Sequence, residues 1–413
     1  MYLPYLFYLN HKPNTGICVM SLPIPNEFWK KCFEAPDPAY DECAARERLA
    51  HIREYAVMAH FTQEELAQLE GPVAALSANS ELLHFWDLMI RTILQPGVPG
   101  GDAAGQSNYL PDDYDVITPD AFTLLVDLAC IPHMAELYKQ RGWYELAFDE
   151  ALLDIRIWME FNQANRGRFG ILFGHAWLRS QFDGLVIRLG RLQCNTSSGF
   201  FSCFRVFRNN TTGETVTFVN SEMSVTDGGL TALEDDPVRF TTAKVAEDGD
   251  TFTGWTVGEN GRVNSEPVTI SGKDWTEYLK AGDPAVNLHI PADGPMKPEA
   301  CMDSFRRMKA FFKDIMGVEV KVFQCESWLL DPRFCDLLPE SSNILAFQRF
   351  GKLLPWPGKG QSEMIRRVFG TKAMEEGVNS VPHITTMQKI FAASVNAGEK
   401  FRNGAFFIDA DIV

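Results

Sequence analysis

The chain has 413 residues, a hydrophobic fraction of 46%, thirty Phe and a formal net charge of −16. This length predicts two domains, and the hydrophobic and aromatic content excludes a disordered chain. The acidic surface argues against nucleic acid and anionic membranes as partners, because both repel negative charge, and it tolerates a cationic substrate such as an amine.

Residues 1–36 are interpreted as an N-terminal extension without an export signal. Residues 1–10 are apolar, but they lack a basic leader and contain Pro4. Translation could start at Met1 or at Met20, and the sequence leaves this open. No other stretch is expected to be long and apolar enough to cross a membrane. The nine cysteines are odd in number and show no metal-ligand spacing, which predicts reduced thiols in the cytoplasm.

Residues 37–166 show helical periodicity and are predicted to form a helical N-terminal domain. Thr62 and Glu65 form a capping-box pattern at the head of one helix. The next helix carries its large apolar residues on one face, and Pro119 opens a third. A loop rich in Gly, Pro and Asp is predicted over residues 96–115.

The pattern changes to short β-strands in the C-terminal part, residues 167–413. Runs rich in Val, Ile, Phe and Thr indicate hairpins and an antiparallel, β-rich insertion around residues 220–280. Residues 273–279 are expected to form a short helix. Two of the hairpin turns are predicted at the dipeptides Asp248-Gly249 and Asn260-Gly261.

The next segment predicts a strand, a helix and a second strand. The helix begins at Pro298 and ends before Gly317, and its apolar residues recur at helical spacing. The flanking runs, residues 285–290 and 318–325, therefore predict strands that lie side by side and parallel. The loop at 291–297 then lies against a helix N-terminus, where unpaired N–H groups could bind a pyrophosphate.

Several motifs of the C-terminal part resemble those of one known family. They are Gly190-Arg-Leu-Gln193, Leu288-His-Ile-Pro-Ala-Asp-Gly-Pro295, Cys325-Glu-Ser-Trp-Leu-Leu-Asp-Pro332 and Ser342-Asn-Ile-Leu-Ala-Phe-Gln-Arg-Phe350. They resemble acyltransferase-domain proteins that join a helical N-acyltransferase N-terminal domain to a GNAT-like C-terminal domain. The resemblance implies an α+β fold, in which the helical N-terminal domain precedes a GNAT-like mixed β-sheet domain flanked by helices.

The resemblance also implies the ligands: acetyl-CoA or another acyl-CoA as cosubstrate, and a small-molecule amine as acceptor. The first strand would expose backbone groups of Leu288 and Ile290 to the pantetheine arm, where this strand splays from the second one. The following loop would face the pyrophosphate. The loop residues implied in cofactor binding are Ala292, Asp293, Gly294, Met296 and Lys297.

Acyl transfer to an amine requires a base for the amine and an acid for the leaving thiolate. Glu326, at the end of the second strand, is the candidate base. His289 on the adjacent strand is a candidate second base or substrate contact, and Cys325 and Ser327 are candidates for the acid. Three of these residues have a structural alternative: Glu326 as a water-facing or Arg-paired carboxylate, His289 as a hydrogen-bonded histidine, and Cys325 as a packed thiol.

Two functions stay open. The first is an acyl-CoA-dependent N-acyltransferase that transfers an acyl group, with acetyl as first choice, to a small amine. The second is a catalytically degenerate GNAT-fold binding module, because Gly294 is the only Gly of the loop and Pro295 and Pro298 lack N–H donors. A metal hydrolase is excluded by the missing His-Glu-x-x-His and Cys-x-x-Cys motifs. The oligomeric state is not predicted.

Overall fold

The computed structural model describes residues 22–95 and 109–413. The alternative starts Met1 and Met20, and residues 96–108 of the predicted loop, lie outside this part. The helices are, in chain order, α1 Glu27–Glu34, α2 Glu42–Ala50, α3 Ile52–Met58, α4 Gln63–Gln68, α5 Glu70–Ala78, α6 Ser80–Ile93, α7 Pro119–Ala129, α8 Ile131–Gln140, α9 Asp149–Arg166, α10 His175–Phe182, α11 Pro298–Asp314, α12 Phe334–Leu337, α13 Asn343–Gln348, α14 Gln361–Phe369, α15 Thr371–Glu376 and α16 Thr386–Asn396.

The strands are short and begin after α10. They are β1 Val186–Leu189, β2 Leu192–Asn195, β3 Phe204–Asn209, β4 Thr215–Val219, β5 Ser224–Val225, β6 Phe240–Thr241, β7 Ala246–Asp248, β8 Thr251–Val257, β9 Val263–Ser271, β10 Trp275–Leu279, β11 Ala285–His289, β12 Val322–Ser327, β13 Lys352–Lys359 and β14 Arg402–Asp409. A π-helical turn, Tyr144–Phe148, precedes α9.

The helical part confirms the local sequence signals. Thr62 Oγ1 accepts from the N–H of Glu65, and the Glu65 carboxylate accepts from the N–H of Thr62, which completes the capping box of α4. Pro119 occupies the first turn of α7 behind the capping Thr118. The apolar face of α6 is buried, with Phe85 and Trp86 fully enclosed.

The sequence prediction overlooked one membrane-length stretch. Helices α7 and α8 together run from Pro119 to Gln140, and these 22 residues are long and apolar enough to cross a membrane by length and composition alone. Of the window that passes this test, 78% is buried inside the protein. Such burial is also typical of a core helix in a globular protein.

The main sheet has the strand order β1-β2-β11-β12-β14-β13 among the described residues. Strands β11 and β12 are parallel and joined by α11, which confirms the predicted strand–helix–strand unit. The second strand, predicted over residues 318–325, is shifted, since β12 begins at Val322 and ends at Ser327. The other neighbours in this sheet are antiparallel.

A second sheet is formed by β10-β3-β4-β8-β7, with β9 paired to β8. The two predicted hairpins are present, since β7 pairs with β8 and β8 pairs with β9 in antiparallel register. The helix predicted over residues 273–279 is wrong, because residues 275–279 form β10, in which Thr276 pairs with Arg208 of β3. Trp, Thr and Tyr in that segment favour a strand once a partner strand is available.

One hydrophobic core joins the helical part to the main sheet. Trp143 lies just before the π-helical turn that leads into α9. Its ring lies edge-on against Phe311 of α11 with ring centroids 5.4 Å apart. The same two elements are also joined by a hydrogen bond, in which the Glu150 carboxylate of α9 accepts from Arg307 of α11 at 2.8 Å. The helical part therefore packs directly on the crossover helix that connects β11 to β12.

Candidate active site

The two central parallel strands separate at their carboxyl ends. Strands β11 and β12 pair from Ala285↔Val322 to Asn287↔Gln324. Beyond that point β11 pairs with β2, whereas β12 continues to pair with β14 as far as Ser327. This opening is the splay that the family resemblance implies, and it leaves part of each strand edge free to contact a ligand.

A cavity of about 780 Å³ lies at this opening. Its walls come from the helical part, from both splayed strands with their following loops, and from the C-terminal helices. The sequence-predicted residues that line it are Leu288, His289, Ile290, Ala292, Gly294, Met296, Cys325, Glu326 and Ser327. Two predicted residues, Asp293 and Lys297, do not line the cavity. Asp293 instead pairs with Arg188 at 2.5 Å, and Lys297 precedes the first turn of α11.

Glu326 is the penultimate residue of β12 and lines this cavity. Partial burial raises the pKa of its carboxyl group, and hydrogen bonds from the side chains of Trp356 and Asn403 oppose that rise. The Asn403 Nδ2 atom lies 3.5 Å from Oε1 of Glu326. A carboxylate with a raised pKa and an open side toward a cavity is suited to accept a proton.

His289 is held from two sides at the end of β11. Its Nε2 lies 2.7 Å from Oδ1 of Asn195, which also accepts from Asn287 at 3.0 Å. Because an amide oxygen only accepts, Nε2 carries the hydrogen and Nδ1 keeps a free lone pair. Burial lowers the pKa of His289 to about 4, so the imidazole is neutral at pH 7. The ring lies edge-on to Trp177 at 4.7 Å.

Cys325 and Ser327 differ in their suitability for proton transfer. Burial, together with a smaller effect of the adjacent Glu326 charge, raises the pKa of the Cys325 thiol to about 12. This thiol therefore stays protonated and does not form a nucleophilic thiolate. The Ser327 Oγ accepts from the N–H of Leu329 at 3.2 Å and caps the short 3-10 turn that follows β12, which leaves its own hydrogen free to donate.

The helical part contributes polar groups that sequence reasoning missed. Asp154 of α9 is buried at the cavity wall, and it accepts from Trp177 Nε1 at 2.8 Å and from the side chain of Gln181. Burial raises the pKa of the Asp154 carboxyl group. Trp177 thus joins Asp154 to His289. The sequence carries one signal for Asp154, which is that this carboxylate lies on the otherwise apolar face of α9, four residues before Trp158.

The loop after β11 is tied to the β1–β2 hairpin. Arg191 donates to the carbonyl oxygens of Gly294 at 2.5 Å and Pro295 at 3.2 Å, and it lines the cavity. Helix α11 begins with Pro298 and shows no side-chain cap. In the ranges 22–95 and 109–413, no group of three His, Cys, Asp or Glu side chains is arranged to hold a metal ion.

Solved structures with the same fold are acyltransferases. One is an acyltransferase in complex with decanoyl-CoA and teicoplanin, with a TM-score of 0.57, 18% identity and 93% of each chain covered. Another is an acyltransferase in complex with decanoyl-CoA, with a TM-score of 0.53, 19% identity, and 93% of this chain and 98% of that chain covered. No curated protein sequence matches the chain.

Two family models match consecutive parts of the chain. Residues 47–184 match the N-acyltransferase N-terminal domain, and residues 186–407 match the GNAT-like C-terminal domain. The second match alone spans more than half of the 413 residues. The chain therefore belongs to the family of proteins that join an N-acyltransferase N-terminal domain to a GNAT-like C-terminal domain.

Proposed function

We propose that this protein is an acyl-CoA-dependent N-acyltransferase. The observation that carries the proposal is the splay between β11 and β12, which opens into a cavity beside a carboxylate of raised pKa, Glu326, and a neutral imidazole, His289. The similar structures were solved with acyl-CoA bound, which supports acyl-CoA as the cosubstrate here.

The proposed reaction is a direct transfer from the thioester to the amine. The pantetheine arm lies along the strand edge that the splay leaves unpaired. Glu326 removes a proton from the amine as its nitrogen attacks the thioester carbonyl carbon. The C–N bond forms and the C–S bond breaks, and the thiolate of CoA takes the proton of the Ser327 hydroxyl, which is replaced by the proton that Glu326 removed. His289 orients the acceptor or relays its proton through Nδ1.

The acceptor is proposed to be an amine that enters beside Glu326. The acidic surface, with a net charge of −16, favours the approach of a cationic amine over that of an anion. The cationic amine first releases one proton to solvent, and Glu326 takes the second proton as the nitrogen attacks. The sequence predicts a small acceptor, which would share the cavity of about 780 Å³ with the thioester.

The acyl group is proposed to be longer than acetyl, the first choice of the sequence analysis. One wall of the cavity is apolar, and it includes Ile157 and Phe161 of the helical part and Val368 and Met387 of the C-terminal helices. An acetyl group buries too little surface to use this wall, whereas each added CH₂ that is buried contributes about 0.8 kcal/mol. Acetyl-CoA should therefore be the poorer of two tested donors.

We also propose a cytoplasmic location. The described cysteines are all free thiols. Free thiols fit a reducing compartment, in which acyl-CoA is also available.

The catalytically inactive binding module is the competing function. It is favoured by the loop after β11, in which Pro291, Pro295 and Pro298 provide no N–H donor for a phosphate. This module would use the splay to hold a ligand without transferring an acyl group. The two functions differ in turnover, so one assay separates them.

The test combines binding with turnover. Purified protein is titrated with CoA, acetyl-CoA and decanoyl-CoA in a calorimeter, and each thioester is then incubated with a panel of amines while thiol release and amide products are measured. Amine-dependent release of CoA supports the enzyme. Tight binding of CoA without an amide product from any amine supports the binding module. Absence of CoA binding would overturn the enzyme and would favour a binding module whose ligand is not CoA.

A further inference from the structure

Arg367 of α14 is a cation at the cavity wall to which the proposed reaction gives no task. Its guanidinium lies over the rings of Trp158 at 5.1 Å and Phe161 at 5.6 Å, both on α9. All three side chains line the cavity. A guanidinium that is stacked on aromatic faces keeps its edges available for hydrogen bonds. The stacking therefore holds a positive charge in a defined place at the cavity wall.

Within residues 22–95 and 109–413, only one nitrogen of this guanidinium has a hydrogen-bond partner. Nε of Arg367 donates to Oε1 of Glu363 at 2.7 Å, whereas Nη1 and Nη2 make no hydrogen bond to these residues. The side chain keeps 27% of its surface exposed, so a ligand in the cavity can reach it. The two terminal nitrogens form the edge that binds a carboxylate through two parallel hydrogen bonds.

The charges around Arg367 leave one positive charge uncompensated. Glu363 accepts from Arg366 as well as from Arg367. It is the only carboxylate paired with either arginine in the part of the chain that the structure describes. Lys359 also lines the cavity, but it already pairs with Glu234 at 3.0 Å. Two arginines thus share one carboxylate, and this favours a further anion at Arg367.

The sheet places the start of α14 on the side of the proposed base. Helix α14 follows β13, and the N–H of Gly360 before it donates to the carbonyl of Phe401 at 3.2 Å. Two residues further on, Asn403 of β14 donates to Glu326. The loop after β11, which is expected to face the pyrophosphate of CoA, lies on the other side of β12 in the strand order. An anion at Arg367 is therefore assigned to the acceptor.

We propose that Arg367 binds a carboxylate of the acceptor, so that the acceptor is an amino acid, a compound with both a reacting amine and a carboxylate. Its amine lies at Glu326 and its carboxylate at Arg367, so each charge of the ligand meets an opposite charge of the cavity. A simple monoamine gains nothing from Arg367, because both are cations. This inference rests on the proposed function, because it takes the ligand at this wall to be the acyl acceptor.

The test compares ligands of the product type that differ only in the carboxylate. One pair is N-decanoylphenylalanine and N-decanoyl-2-phenylethylamine, and a pair with longer spacing is N-decanoyl-6-aminohexanoate and N-decanoylpentylamine. In calorimetry, the wild type should bind the carboxylate member of at least one pair about 10-fold more tightly, the lower end of the range for a hydrogen bond to a charged group. Arg367→Met keeps an apolar side chain on the aromatic rings and should reduce this ratio below twofold. Arg367→Lys should keep part of it, because it keeps the charge.

The matched control is Arg366→Met. Arg366 pairs with the same Glu363 but does not line the cavity, so the ratio should not change. A ratio below twofold for both pairs in the wild type, or an unchanged ratio in Arg367→Met, would overturn the inference. A loss of affinity for decanoyl-CoA in Arg367→Met that S-decanoyl-pantetheine does not share would also overturn it, because Arg367 would then bind a phosphate of CoA. A protein that shows the predicted ratios but forms no amide would lose the transferase function and keep Arg367 as a carboxylate-binding residue.

Discussion

Replacing Glu326 by glutamine tests the proposed base with little disturbance of the fold. The side chain is exposed to the cavity, and its oxygens accept from Asn403 and Trp356. Glutamine keeps one acceptor oxygen and turns the other into a donor, so one of the two hydrogen bonds is lost. The expected cost in the free energy of unfolding is about 1 kcal/mol or less.

The expected effect on catalysis is much larger. A positioned general base contributes about 10²- to 10⁴-fold, so kcat/KM for the amine should fall by that factor in Glu326→Gln. The pH profile gives the sharper readout. The base works only when deprotonated, so wild-type kcat/KM should fall as the pH drops through the raised pKa of Glu326, above the usual 4.5 of a glutamate. This fall is the acidic limb of the pH profile, and the variant should lose it.

The matched control is Glu363→Gln in the same cavity. Although burial acts in the opposite direction, Arg367 and Arg366 hold the pKa of Glu363 below its ordinary value, so it is a poor proton acceptor. This variant should keep the acidic limb. A Glu326→Gln enzyme with kcat/KM within twofold of the wild type and an unchanged limb would refute the assignment. A limb near pH 4 in the wild type would instead indicate His289 as the base.

Three further predictions concern stability. An unfolded histidine titrates near 6.5 and His289 at about 4, so the unfolded state binds more protons between these values and stability falls as the pH drops through this window. The loss should reach about 3 kcal/mol, and His289→Gln should remove it in denaturant titrations at several pH values. Gly404→Ala should cost at least about 2 kcal/mol in the same assay, because the added methyl group meets the backbone carbonyl of the 3-10 turn after β12, whereas Gly71→Ala meets nothing. Asp331→Ala should cost about 2 to 4 kcal/mol, since this buried carboxylate accepts from two backbone N–H groups, and the exposed Asp336→Ala should cost less than about 0.5 kcal/mol.

Local signals in the sequence were sufficient for the central unit of the fold. The helix from Pro298 carries a proline start and a regular apolar face, and its neighbours pair in parallel because a helical crossover returns the chain to the same end of the sheet. That pairing also placed His289 and Glu326 at one edge. Four predicted catalytic residues therefore line a single cavity, although their roles stay predictions.

Strands that depend on distant partners were not predictable in the same way. β13 contains Pro355 and Pro357, which normally argue against a strand. It exists because it lies at the sheet edge and pairs with β14 on one side only, so missing N–H groups cost little there. The helix expected at residues 273–279 failed for a related reason, since β10 is fixed by its pairing with β3.

All candidate site residues predicted from the sequence lie in the C-terminal part, whereas the structure also places polar side chains of the helical part at the cavity wall. Asp154 of α9 accepts from Trp177 of α10, and the Trp177 ring lies edge-on to His289 of β11. Trp158 of α9 lies under the guanidinium of Arg367 at 5.1 Å, so the helical part contacts both β11 and the C-terminal helices. None of these contacts is local in sequence. Because residues of α9 and of the splayed strands line the same cavity, both family domains contribute to it, and we propose that the helical part forms a wall of the acceptor or acyl site.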